Sequence, residues 1–231
     1  LSVAGTPVTY GGKRLRLPMP RVTMSGKSLI RSGAEFGVFG VAPSHLEWDI
    51  AYYKTGGDAE RNDIISHIRG AKKCGANAIR AHLNLWDFIS GTSGNDLSVT
   101  VLAMNNFLHL LSVAKQHGIY VLVSGNNTKL LDVVPAWYDL LSYADRWDVQ
   151  SFFFEELASA VLAAGHSTTV LGYELMSEPA INSDPAANWY IGGSGIYYFT
   201  QNIARGVVEA SQPQVTRDWI TQLSAAIRGA D

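Results

Sequence analysis

The sequence predicts an α/β fold built on a parallel sheet, and three observations predict it. Short apolar runs alternate with longer segments whose apolar residues recur every three or four positions. The first three helical segments each stop at a glycine: Gly75, Gly118 and Gly165. The apolar runs that follow carry their polar residues mainly at the C-terminal end. Strand–helix units in succession require right-handed crossovers, and hence parallel strands. A sheet covered by helices, with polar groups at the strand tips, fits a doubly wound sheet or a (β/α) barrel.

Residues 1–33 read as an N-terminal entry segment of turns and short strands, because "TYGGKRLRLPMP" and "MSGKSLIRSG" carry glycine and proline punctuation. Residues 34–231 carry the repeating units. "EFGVFGV" (35–41) is the first strand. A helix from Asp58, an N-cap, to Cys74 places Ile64, Ile65, Ile68 and Ala71 on one face. "ANAIRAHL" (76–83) is the second strand. The helix over 97–117 buries Met104, Phe107, Leu108 and Leu111. "IYVLVSG" (119–125) is the third strand, rich in β-branched residues. The helix over 149–164 carries Phe153, Leu157, Ala160 and Val161. "TTVLGYELMS" (168–177) is the fourth strand. Two helical patterns follow, over 195–210 and 214–228, with Pro213 between them; Trp219, Leu223, Ala226 and Ile227 line the second.

Composition narrows the function. With 231 residues, 47% hydrophobic, the chain can bury one sizeable core. A net charge of −2 supplies no basic field for nucleic acid. No apolar run reaches the roughly 20 residues of a membrane span. The sole cysteine, Cys74, excludes an internal disulfide framework. The chain opens on Leu1 with no signal-peptide pattern, so a processed product or a fragment is expected. No G-x-G-x-x-G follows any strand, which counts against a dinucleotide fold. "GGSG" (192–195) lacks the lysine and spacing of a phosphate loop and reads as a flexible loop. His45, His67, His109, His117 and His166 show no paired ligand spacing; no metal and no cofactor is expected.

In either fold a ligand lies beyond the C-terminal strand ends. The residues there are His45, Glu47, Trp48 and Asp49 after the first strand, and Arg80, His82, Asn84 and Trp86 on and after the second. Ser124, Asn126 and Asn127 end the third, with Trp137 in its loop, and Glu178 ends the fourth. Arginine, amides, tryptophan and carboxylates suit a sugar, whose hydroxyls need hydrogen-bond partners and whose ring faces need aromatic surface. Strand alternation puts Ala78, Arg80 and His82 on one face, with Ile79, Ala81 and Leu83 free to pack under helices. It groups Val170, Gly172, Glu174, Met176 and Glu178 against Leu171, Tyr173 and Leu175. A bare charge on an inward face is costly, and an Arg80–Glu174 pair would offset that cost. Glu174 and Glu178 are not themselves a catalytic pair, since four strand residues span about 13 Å and a retaining pair needs about 5–5.5 Å. Plainer roles compete at every position: a cap for Glu178, a satisfied core site for His82, a turn for Asn126 and Asn127, and core cover for Trp86 and Trp137.

"VLGYELMSEP" resembles the fourth-strand Asn-Glu-Pro signature of clan A glycoside hydrolases, family 5 above all, the cellulase and β-mannanase family. "KKCGANAIRAHLNLW" resembles that family's second strand with its arginine, "AKQHGIYVLVSGNN" its third helix–strand step, "MSGKSLIRSGAEFGVFG" its entry hairpin and first strand, and "WITQLSAAIRGAD" the helix before strand five. The likeness runs over about residues 25 to 231, in the family's order. It implies a (β/α)8 TIM-type barrel, of which this chain holds about the first four βα units. It implies a retaining glycosidase on β-linked glucan or mannan, with Glu178 as acid/base and Arg80 orienting a carboxylate. His82, Trp86, Asn126, Asn127, Trp137 and Ser177 would join Arg80 in binding substrate. Three departures stand out. Ser177 replaces the family's asparagine, Asn126 replaces a histidine, and the nucleophile of strand seven lies outside the chain. Four parallel strands also leave two open edges, so a missing second half is expected, in cis or as a second chain. The alternative is a sugar-binding, cellulase-like protein impaired in turnover. Secretion is an expectation from the resemblance.

Overall fold

The computed structural model describes residues 2–3, 6–7, 9–10, 13–14, 19–43, 46–51, 58–125, 134–191 and 199–230. The chain divides into two compact units, Leu1–Gly37 and Val38–Asp231.

The first unit is a run of short antiparallel pairs. β1 (Ser2–Val3) pairs with β2 (Thr6–Pro7), and β3 (Thr9–Tyr10) with β4 (Lys13–Arg14). β5 (Val22–Ser25), β6 (Ser28–Arg31) and β7 (Ala34–Glu35) form a meander. Ser28 Oγ donates to Glu35 Oε1 at 2.8 Å, and the Arg31 guanidinium lies over the Phe36 ring at 4.6 Å.

The second unit is organised by one sheet. β8 (Gly40–Val41), β9 (Ala78–His82), β12 (Tyr120–Ser124) and β13 (Val170–Glu174) are all parallel and lie side by side in chain order. Each crossover therefore adds its strand on the same side as the last. A doubly wound sheet reverses direction at a switch point; a barrel does not. The four strands have the order of a barrel segment, with no switch point among them.

α1 (Leu46–Ala51) and α2 (Asp58–Lys73) connect β8 to β9. β9 leads to α3 (Leu85–Phe88), an antiparallel hairpin of β10 (Ile89–Gly91) and β11 (Leu97–Val99), and α4 (Val101–His117). α5 (Ala136–Asp139) and α6 (Tyr143–Ala163) connect β12 to β13. Beyond β13 come β14 (Ile181–Asn182), β15 (Trp189–Ile191), β16 (Phe199–Gln201), β17 (Ala204–Arg205), α7 (Val207–Ala210) and α8 (Pro213–Ala230). Gly118 closes α4 at φ 67, where a side chain would be strained, and Ile119 N–H returns to Ala114 O at 3.0 Å. Gly75 and Gly165 close α2 and α6 in the same way, with Ala76 N–H returning to Ala71 O at 3.0 Å and His166 N–H to Val161 O at 2.9 Å.

The core sits between the sheet and its helices. Ile79, Ala81, Val121 and Val123 on one sheet face join Ile64, Ile68, Phe107, Leu111, Phe153 and Leu157 in one buried cluster. On the other sheet face Ala78, Tyr120 and Ser124 are buried, while Arg80, His82, Leu122, Gly172 and Glu174 are only half-buried. That asymmetry is the alternation expected of 76–83.

Besides the fourth strand, which is Val170–Glu174 and not 168–177, four elements differ from the sequence reading. The first strand is only Gly40–Val41, because Val38 and Phe39 are exposed and Gly37 supplies no side chain to pack. Residues 97–99 pair as β11 instead of opening the helix, which starts after Thr100. α6 starts at Tyr143, six residues early, where Ser142 Oγ accepts from Asp145 N–H at 3.1 Å. The helix expected over 195–210 is absent from its described part apart from Val207–Ala210: residues 199–201 and 204–205 are strands. Pro213 opens α8, where its missing N–H costs nothing.

Candidate functional site

The half-buried sheet face builds the site from two rows. In-register pairing aligns Arg80, Leu122 and Gly172 across β9, β12 and β13; one step nearer the C-terminal ends it aligns His82, Ser124 and Glu174. Partners in a row share a face, so the second row is a polar line at the mouth of the sheet. The Arg80 side chain crosses β12 to reach Glu174, two strand spacings or about 10 Å away. Its Nε donates to Glu174 Oε2 at 2.7 Å, and Nη2 donates to Oε1. This two-pronged geometry is the strong form of an arginine–carboxylate contact. The same Nη2 donates to Ser177 Oγ at 3.2 Å. One guanidinium therefore ties the end of β13 to the loop that follows it.

Burial is the main cause that lowers the His82 pKa; Arg80 adds to it and Glu174 opposes it. His82 thus favours the neutral imidazole. Ser124 is fully buried, and its Oγ has no hydrogen-bond partner among the described residues.

Past the strand ends stands an aromatic cluster. Asn84 caps α3 by accepting from Trp86 N–H at 3.3 Å. Trp86 meets Trp137 edge to face at 5.7 Å and Tyr138 at 4.7 Å. Trp137 Nε1 donates to Gly91 O at 3.1 Å, which pins its ring to the β10–β11 hairpin. Both tryptophans are half-buried. Tyr138 is buried, hydrogen-bonded to Gln201 at 2.6 Å and Gln150 at 3.1 Å. Its phenol is pushed up to about 12, mainly by burial.

The structure thus places Arg80 mid-strand and His82 at the end of β9, puts Ser177 three residues past the end of β13, and brings Trp86 to Trp137. Asn126 and Asn127 lie outside the described residues, as does His45. Glu178 departs from expectation. β13 ends at Glu174, so strand alternation does not extend to Glu178, which is exposed and held at φ 52. A bulge beside Leu122 also separates Val170 from the inward face: Val170 pairs with Val121 and belongs to the buried core.

Sequence reasoning missed a second polar cluster. Arg146 on α6 is 1% exposed, and its Nη1 donates to Asn188 Oδ1 at 3.0 Å. Arg205 Nη1 donates to the same oxygen. The Ser142-x-x-Asp145 cap was the available signal, since it starts the helix early enough to turn Arg146 inward beside Trp147. Among the described residues no group of three or more His, Cys, Asp or Glu could hold a metal, and no helix is long and apolar enough to cross a membrane.

No family model matches the sequence, nor does any curated protein. Solved structures do match. The β-mannanase of the blue mussel Mytilus edulis superposes with a TM-score of 0.61 at 13% identity, over 92% of this chain and 61% of that one. The endo-1,4-β-mannanase of Rhizomucor miehei gives 0.59 at 17%, over 91% and 58%. The endo-1,4-β-mannanase of Eisenia fetida gives 0.57 at 18%, over 92% and 59%. The chain shares the fold of part of these structures. It spans about three fifths of the length of these structures. In a (β/α) barrel the polar row at the strand ends lies on the face where ligands bind.

Proposed function

We propose that the chain belongs to a glycoside hydrolase of β-linked polysaccharide, glucan or mannan, working by a retaining two-carboxylate mechanism. The observation that carries this reading is the Arg80–Glu174–Ser177 array at the C-terminal end of a parallel sheet wound like the mannanase barrels. Arg80, His82 and Ser177, with Asn126 and Asn127, would hold sugar hydroxyls, and Trp86 and Trp137 would offer apolar surface to the rings.

In this mechanism Glu178 donates a proton to the glycosidic oxygen while a second carboxylate attacks the anomeric carbon. The leaving sugar departs as an alcohol and a glycosyl ester remains. Glu178, now a carboxylate, takes a proton from water; the water oxygen attacks the same carbon and frees the second carboxylate. Glu174 is committed to Arg80; in the family that the sequence resembles, the second carboxylate stands on strand seven, beyond the four strands of this sheet. β8 and β13 each have one edge unpaired among the described residues. Further strands, in cis or from a second chain, would close on those edges. Release of reducing ends from β-mannan and β-glucan tests the reading; an active protein that keeps its full rate as Glu178→Gln would overturn it.

A second reading has its own support. Glu178 is exposed and Ser177 stands in the asparagine position, as in a sugar-binding protein that has lost turnover. Oligosaccharide binding by calorimetry without product release selects it.

A further inference from the structure

Away from the strand-end row, two guanidinium groups converge on one neutral oxygen. Arg146 Nη1 and Arg205 Nη1 both donate to Asn188 Oδ1. Arg146 is 1% exposed, and its Nη2 is buried without a hydrogen-bond partner among the described residues. Among the described residues neither arginine is ion-paired with a carboxylate. Asp139 is the near acid, but its Oδ1 accepts from Trp189 Nε1 at 3.0 Å, and its backbone carbonyl accepts from Asn188 Nδ2 at 3.2 Å. Burial chiefly pulls the Arg146 guanidinium below its ordinary value; Arg205 adds to the pull, while Tyr138 and Asp139 resist it.

Arginine keeps its proton in proteins, so the charge stays and must be compensated. A buried cation that lacks a full set of partners is costly, and a second cation beside it raises that cost. An amide oxygen is a weak acceptor for two guanidinium forks; an anionic oxygen fits both. Asn188 and Arg205 are half-exposed, which leaves a side open to solvent. Asn188 directly precedes β15, and its backbone carbonyl accepts from Asn202 N–H at 2.9 Å, so an incoming anion would have to displace the amide side chain alone, by rotation about its Cα–Cβ bond and loss of its bond to Asp139 O.

We infer that Arg146 and Arg205 form a receptor for a small oxyanion, a carboxylate or a phosphate, whose oxygen takes the position Asn188 Oδ1 now holds. The site is distinct from the Arg80–Glu174 row and does not rest on the glycosidase reading.

The test is thermal unfolding of the protein in sodium phosphate, sodium glucuronate or glucose, with ionic strength held constant by sodium chloride. Either anion is expected to raise Tm saturably, by about 5–10 °C at a hundred times its Kd; glucose is expected to raise it not at all. A response to glucuronate alone assigns a planar carboxylate, and a response to phosphate alone a tetrahedral anion. Arg205→Gln should abolish the shift. If that variant fails to fold, Arg205→Lys, which keeps the charge but loses the fork, should weaken the anion at least about tenfold. No shift beyond that of chloride, or an equal shift in the Arg205 variants, overturns the inference.

Discussion

Arg80 on β9 reaches over the intervening strand to grip both carboxylate oxygens of Glu174 on β13. The two residues are 94 positions apart in sequence. Their pair joins the second and fourth strands of the sheet on its half-buried face, where water still reaches 31% and 27% of the two side chains.

Partial exposure moderates what the pair contributes, but removing one partner leaves the other half-desolvated. Glu174→Gln is expected to cost about 1–3 kcal/mol. For a chain of this size each kcal/mol lowers Tm by roughly 2–4 °C. Arg80→Met should cost a similar amount, and the double variant less than the sum of the two. Urea unfolding of the four proteins checks this; strictly additive losses would show that the contact is idle.

His82 gives the stability a pH dependence of definite sign. Its unfolded pKa is near 6.5, and burial sets the folded value lower. Between the two values the unfolded chain binds more protons, so stability rises with pH. The contribution is therefore intact above the unfolded pKa and is lost as pH falls below about 6.5 toward the folded value. His166 shifts the same way, through burial and then Lys115. Urea midpoints at pH 5, 6 and 7 are expected to fall with pH, and His82→Gln to recover part of the fall. An unchanged slope in the variant would assign the effect to His166.

These residues also mark what could be read in advance. Arg80 and His82 against Ile79, Ala81 and Leu83 follow from a period of two inside one strand, and the Gly75 stop fixes where that strand begins. Glu174 as the partner of Arg80 follows from the cost of an unpaired charge on an inward face. The direction of Glu178 does not follow. Its place depends on the bulge between β12 and β13 and on where β13 ends, both set by inter-strand register. The β10–β11 hairpin was hidden by the good helical pattern just after it. The burial of Arg146 depends on Asn188, 42 residues away, which local periodicity does not report.

Gly125 follows β12 at the site's edge, and its N–H donates to Glu174 O at 3.0 Å. A Cβ there would stand 2.8 Å from Phe153 Cε1 and 2.8 Å from Phe154 Cζ. Both rings are fully buried in α6, so neither can swing aside. Gly125→Ala is expected to cost about 1–3 kcal/mol through overpacking, read as a lower urea midpoint at unchanged slope. A midpoint equal to that of the wild type would mean that α6 yields more easily than its packing implies.

Ser177 offers a direct test of the sugar-site reading. Its hydroxyl is engaged by Arg80 Nη2 at 3.2 Å. An asparagine can accept from the same guanidinium through its carbonyl and still turn an amide donor toward a sugar hydroxyl. One added neutral hydrogen bond contributes about 0.5–1.5 kcal/mol, so Ser177→Asn is expected to lower the Kd for mannotetraose by about 2–10-fold in calorimetry. The change is confined to a half-buried loop position, so the urea midpoint should barely move. Binding that stays the same or weakens, with the fold intact, would place the sugar out of reach of residue 177 and count against the strand-end row as its site.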